Sequence, residues 1–252
     1  MKRLTVAIGC IAVCATMLCA NTIKIRVVNY PPQYYQNSEK VWTGLDVELA
    51  RAVVEDAGYT PEFVDLPWNR ALVSIKAGEI DIMCNLSKTE ERSEFLQWIG
   101  PERYTQMVLI VRKGDKGLTI NSLDQMVIAS QKTGKKIAIQ QNAYYGEDMK
   151  KRLETDNDFA KVFVPIPEAT QFLAMLQKSR ILGYIEERSN IVYKIAHDEQ
   201  YKDFFVHPFI IHKDPVYFGV SKMVPPEVYN NLVRSYKKLE GNGKLEKIRK
   251  KW

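Results

Sequence analysis

Arg92 closes the run Ser87-Lys88-Thr89-Glu90-Glu91-Arg92, and its surroundings suit anion capture. Ser87 and Glu90 have the spacing of a capping box, so a helix is expected to start here with Arg92 in its first turn. Free backbone N–H groups at such a turn point toward bound anions. A guanidinium fork adds two parallel, charge-assisted hydrogen bonds to a planar carboxylate. Asn85, Ser87 and Thr89 flank the same corner and can supply an amide, a hydroxyl or a backbone contact. The alternative is a surface ion pair with Glu91 or Glu94, since most arginines are exposed.

Other residue types offer less. Tyr30, Tyr34, Tyr35 and Trp68 present aromatic faces that can stack on a ligand or attract an ammonium group. Trp68 also falls on an apolar helical stripe and serves equally well as core. In Pro67-Trp68-Asn69-Arg70, Arg70 is either a second anion ligand or a solvated arginine on a helix face. His197, His207 and His212 lack paired metal-ligand spacing, and Cys84 stands alone as a buried strand residue. No Gly-rich phosphate loop and no Gly-x-Ser-x-Gly elbow occurs. Glu186 and Glu187 could act as a general acid only inside a dry cleft. No cofactor or metal is expected.

The elements that must position these residues read as α/β. Short apolar strands at Ile23–Val28, Ile80–Leu86 and Met107–Val111 alternate with helical stripes. Leu45, Leu49, Val53 and Ala57 form one stripe, ended by Gly58; Trp68, Ala71, Leu72 and Ile75 form another, ended by Gly78. Further strands are expected at 136–140, 162–165, 181–185, 204–211 and 216–220, and helices at 146–154, 168–178 and 226–239. The polar stretch at 112–117 is expected as a crossover between two lobes.

The N-terminus points to export. Met1-Lys2-Arg3 precedes an uncharged, mostly apolar run from Leu4 to Leu18, with Leu18-Cys19-Ala20 as a cleavage site. The run is shorter than the roughly 20 apolar residues of a transmembrane helix. Cleavage after Ala20 shortens the 252-residue chain by 20 to 232 residues, and loss of Lys2 and Arg3 takes the formal charge from +6 to +4. Only Cys84 would survive, so no internal disulfide could form. Val13 before Cys14 and Leu18 before Cys19 argue against lipid attachment, which wants a small preceding residue. The remaining basic excess gathers at the C-terminus without stacking aromatics or a recognisable motif, which excludes a nucleic-acid partner.

Taken in order, the motifs resemble one family. Tyr30-Pro31-Pro32 leads to Gly44-Leu45-Asp46-Val47-Glu48-Leu49-Ala50, Leu72 to Asp81 contains Gly78-Glu79-Ile80-Asp81, and Ser87-x-Thr89-x-x-Arg92 follows. Gly241-x-Gly243 then leads to Lys247-Ile248 and Trp252. Over the whole mature chain this is similar to the extracellular solute-binding proteins of polar amino-acid ABC importers. The resemblance implies a type II periplasmic binding-protein fold, α/β and two-lobed, with a ligand cleft and a two-segment hinge. Residues 1–20 would be the signal peptide, 21–111 and 213–252 the first lobe, and 112–212 the second. It also implies a monomeric periplasmic protein without enzymatic activity, which captures a small amino-acid-like or carboxylate ligand and docks on a membrane permease. Arg92 would pair with the ligand carboxylate, and Tyr30 would be a pocket aromatic.

The second lobe departs from the family pattern. Where relatives carry Gly-Thr-Thr or Gly-Ser-Thr, this chain has Gln141-Asn142-Ala143-Tyr144. Glu187, one methylene longer, stands where an aspartate usually receives the ligand ammonium. A bulkier ligand, or a carboxylate without the usual amine, is therefore open. Two rival roles share the fold: a ligand sensor for a membrane receptor, and a periplasmic cyclohexadienyl dehydratase.

Overall fold

A computed structural model describes residues 22–252; the signal segment expected at 1–20 lies outside the described residues. Strand β1 (Thr22–Val27) leads through a small hairpin, β2 (Tyr35–Gln36) and β3 (Trp42–Thr43), to helix α1 (Leu45–Asp56). Strand β4 (Thr60–Asp65), α2 (Trp68–Lys76), β5 (Ile82–Leu86) and the single turn α3 (Glu90–Ser93) follow. The long strand β6 (Leu96–Arg112) then carries the chain into its second half. That half contains α4 (Leu123–Thr133), β7 (Ile137–Gln140), α5 (Glu147–Thr155), α6 (Asn157–Val162) and β8 (Phe163–Ile166). It continues through α7 (Gln171–Gln177), β9 (Gly183–Glu187) and α8 (Arg188–His197). Strand β10 (Phe204–Ser221) returns, and α9 (Pro226–Gly241) and α10 (Lys244–Lys251) close the chain.

The main sheet runs β4-β1-β5-β10-β6-β9-β7-β8. Its two ends are parallel: β1 pairs with β4 and β5, and β7 pairs with β8 and β9. Parallel strands are covered on both faces, so they read as continuous apolar runs rather than alternating ones. That holds for β5 and β7, whereas β1 alternates, with Ile23, Ile25 and Val27 buried and Lys24 exposed. Between the ends, β6 and β10 pair antiparallel from Arg112–Phe204 to Leu96–Ser221, with register shifts along the way.

Two halves have their own cores. In the first, Ile25, Leu49, Val54, Val220 and Leu232 pack on one side of the sheet, and Ile75, Met83, Leu86 and Leu96 on the other. In the second, Leu109, Met126, Ile137 and Phe159 pack on one side, and Val108, Phe172, Leu176 and Tyr184 on the other. The chain therefore has the two-lobed α/β architecture, with β6 and β10 shared by both lobes.

Several expectations are corrected. Met107–Val111 is not a free-standing strand but the end of a 17-residue strand. It hydrogen-bonds to β9, so it already belongs to the second half, ahead of the stretch at 112–117 expected as the crossover. The strands expected at 204–211 and 216–220 are one strand, because residues 212–216 between them pair in regular register with 107–103 of β6. The apolar pattern marked the well-buried parts of β6 and β10 and missed the stretch crossing from one core to the other. No helix among the described residues is long and apolar enough to cross a membrane.

Candidate functional site

The site lies where parallel strands end. In open α/β sheets, ligands bind beyond the carboxyl ends of such strands. Here the ends of β1 and β5 face those of β7 and β9 across a cavity of about 510 Å³. The turns there require special backbone. Asn85 near the end of β5 has φ 59° and Asn142 after β7 has φ 60°, in the left-handed region that asparagine enters more readily than most residues.

Arg92 stands at this junction. Thr89 caps α3 by accepting the Arg92 backbone N–H at 3.2 Å, which fixes where the side chain leaves the helix. The guanidinium donates to the carbonyls of Ser87 at 3.0 Å and Asn142 at 3.2 Å, and lies 5.4 Å from the Trp68 ring centroid. It is 7% exposed and is not ion-paired among the described residues; neither Glu91 nor Glu94 reaches it. Burial pulls its pKa down to about 10, with Glu91 and Tyr144 acting in the opposite sense. It stays a cation at neutral pH.

Tyr30, Tyr34, Trp68, Asn85, Ser87, Arg92, Ala143, Tyr144 and Glu187 all line the cavity. Thr89 and Asn142 line a neighbouring cavity of about 500 Å³, which Arg92 also borders. Arg70 is exposed on α2 and lines neither, so its role is that of a solvated helix-face arginine. Tyr34 is core as well as wall: it is buried among first-lobe apolar residues, and burial pushes its phenol up.

Glu187 departs most from expectation. Its Oε1 accepts from Arg103 at 2.6 Å, from Gln33 at 2.9 Å and from Ser189 at 2.8 Å, and its Oε2 accepts from Asn85 at 3.0 Å. A carboxylate has about four acceptor sites, and these bonds occupy them. Burial alone would raise the Glu187 carboxyl; Arg103 and the hydrogen bonds from Ser189 and Asn85 bring it below the usual range instead. Arg103 also holds Asp46 at 2.8 Å, so one buried guanidinium ties the start of α1 to the end of β9. The residue expected to receive a ligand ammonium already shares the Arg103 guanidinium with Asp46.

Sequence reasoning missed Arg26 and Arg103. Arg26 sits between Ile25 and Val27 in β1, where alternation suggests an exposed charge, yet it is buried. Its Nε donates to the Leu66 carbonyl at 2.9 Å. Arg103 follows Gly100-Pro101-Glu102 with nothing local to mark it. Glu186 turns into the cavity, accepting from the Tyr30 hydroxyl and, at 3.0 Å, from the Glu187 backbone N–H. No group of three or more His, Cys, Asp or Glu among the described residues could hold a metal ion.

Comparison with known proteins identifies the family. The arginine-binding extracellular protein ArtP of Bacillus subtilis is 24% identical over 232 residues, covering 89% of this chain and 82% of that protein. The L-cystine-binding protein TcyJ of Escherichia coli K12 is 25% identical over 126 residues, 50% of this chain and 45% of the relative. Among solved structures, a histidine kinase sensor domain with similarity to periplasmic binding proteins superposes with TM-score 0.76 at 21% identity, covering 92% of this chain and 95% of that one. The sequence profile of the bacterial extracellular solute-binding proteins, family 3, matches residues 23–252, and the chain belongs to that family.

Proposed function

We propose that the protein is exported to the periplasm, loses its first 20 residues, and as a monomer captures a carboxylate-bearing solute for an ABC importer, without turning it over. The observation that carries this is Arg92: a buried cation with no ion-pair partner, held by a helix cap at the wall of an inter-lobe cavity. A buried charge left without a counter-charge is costly, and an incoming carboxylate supplies one. The relatives named for arginine and cystine binding support the solute class, since both ligands carry α-carboxylates.

Thr105 pairs with Asp214 between the parts of β6 and β10 that pack in the two cores. We place the hinge there, with residues 22–104 and 215–252 in the first lobe and 106–213 in the second. Closure about two crossing strands aligns polar groups from both sides of the cleft.

A thermal-shift screen of residues 21–252 against amino acids and small carboxylates tests the reading. A ligand at a hundredfold excess over Kd adds about 2.7 kcal/mol of stability. A saturable shift with one-to-one stoichiometry and no chemical change in the ligand is the expected result. Turnover of prephenate or arogenate would instead make the protein an enzyme.

A further inference from the structure

The carboxylates deep in the cleft already accept hydrogen bonds from the protein, whereas two of its cations have no ion pair among the described residues. Glu187 is saturated by Arg103, Gln33, Ser189 and Asn85. Glu186 accepts from Tyr30 and the Glu187 N–H; burial raises its carboxyl, and the charge of Lys194 acts against that. Lys194 lies 5.6 Å from the Tyr30 ring centroid and 5.4 Å from that of Tyr201, so its ammonium occupies the aromatic cage where a ligand cation would otherwise sit. The other acids of the lining, Glu168 and Asp198, are only half-buried, and Asp198 already caps a turn through the Gln200 N–H at 2.9 Å.

On the opposite side, Arg26 and Arg92 line the same cavity and flank one aromatic, with their guanidinium carbons 5.8 and 5.4 Å from the Trp68 ring centroid. They are 5% and 7% exposed, and neither is ion-paired among the described residues. Arg26 donates its Nε to a backbone carbonyl and also interacts with the Tyr34 hydroxyl, and Arg92 donates to carbonyls. Both keep N–H groups for a ligand, because a guanidinium carries five.

Resting on the capture reading above, we propose that the ligand is a small dicarboxylate without an ammonium group. One carboxylate sits on Arg92, the other on Arg26, and the carbon skeleton lies against Trp68. An α-amino acid leaves one of the two guanidiniums without a counter-charge, and its ammonium meets a Glu186 that already accepts from Tyr30 and the Glu187 N–H beside Lys194. A dicarboxylate neutralises both guanidiniums and leaves the internal pairs intact.

The pair 2-oxoglutarate and L-glutamate isolates the point, since the two differ in the group at one carbon. Residues 21–252, unfolded and refolded to strip carried-over ligand, would be titrated calorimetrically with 2-oxoglutarate, glutarate, succinate, L-glutamate, L-arginine and L-cystine. A dicarboxylate is expected to bind, with 2-oxoglutarate at least about tenfold tighter than L-glutamate, a gap of one decade in Kd. Arg26→Gln is expected to weaken that dicarboxylate at least about thirtyfold, as truncation of one partner in a buried charge pair does. Tight binding of an amino acid with weaker or absent dicarboxylate binding overturns the proposal and leaves the capture reading standing. Silence of the dicarboxylates overturns it whatever else binds, and silence of the whole panel counts against the capture reading too. The ligand panel on the unmutated protein decides the matter even if Arg26→Gln does not fold.

Discussion

At the residue scale, the cleft is governed by which charges are paired. Arg92 has only carbonyl partners, so its removal should cost ligand affinity far more than it costs fold stability. Arg92→Ala is expected to weaken binding by about 2–5 kcal/mol, the range for truncating one side of a buried charge pair. Calorimetry on the folded variant checks this, and an affinity within threefold of the unmutated protein would remove Arg92 from the site. Glu102 makes a pH-dependent prediction. It is buried beside Asp46 and Arg103; burial first, then the charge of Asp46, pushes its carboxyl well above the usual value of 4.5. The folded protein keeps a proton that the unfolded chain releases near that value. Such a raised group contributes stability that is complete below the unfolded pKa and is lost as pH rises toward the folded one. From about pH 5 to 8 the protein should lose stability relative to Glu102→Gln, by up to about 1.4 kcal/mol per pH unit. Urea unfolding of both proteins across that range measures it, and a constant gap would mean that Glu102 is ionised in the fold.

At the scale of elements, the start of α1 has no side-chain cap, and the chain before it takes over that task. The N–H groups of Leu45 and Asp46 donate to the carbonyls of Pro32 and Gln33 at 2.9 and 3.0 Å. That close approach depends on Gly44, whose φ is 122° and whose hydrogen stands where a Cβ would lie 2.4 Å from the Gln33 carbonyl oxygen. Gly44→Ala is therefore expected to destabilise the protein by at least about 1–3 kcal/mol, the cost of one strongly strained backbone position. Because Gln33 also donates to Glu187, the same change should disturb the cleft. An unchanged urea midpoint would show that the loop yields without cost.

At the scale of the molecule, the lobes are joined by hydrogen bonds at the base and at the rim of the cleft. At the base, Asn190 donates to the Pro31 carbonyl at 2.6 Å, and Gln33 and Asn85 reach Glu187. At the rim, Asn69 on α2 donates to the Pro167 carbonyl at 3.4 Å and accepts from Asn142 at 3.0 Å. If closure holds the ligand, removing the rim contact should speed release more than it slows capture, because affinity changes at one interface fall mostly on dissociation. Asn69→Ala is expected to cost about 0.5–1.5 kcal/mol of binding, the net worth of a typical hydrogen bond. Stopped-flow tryptophan fluorescence would resolve the two rates. An unchanged dissociation rate would mean that the rim contact does not contribute to closure.

Much of this was legible before the fold was seen. The apolar stripes predicted α1 and α2 to within a residue or two of Leu45–Asp56 and Trp68–Lys76, because 3.6-residue periodicity directly reports a helix buried on one face. The run from Ser87 to Arg92 placed its arginine in a first helical turn because capping is local; the structure seats the cap two residues later, on Thr89. Ordered short motifs were enough to indicate the family. Only the tertiary structure decided the charge balance of the cleft. Arg103 meets Asp46 across 57 residues of sequence and Glu187 across 84. Periodicity can say that a position is buried, but not which distant charge is buried with it. For the same reason nothing in the sequence singled out Arg26, whose burial depends on what packs over β1. Pairing of buried ions is a long-range property, and here it decides which charges are left for a ligand.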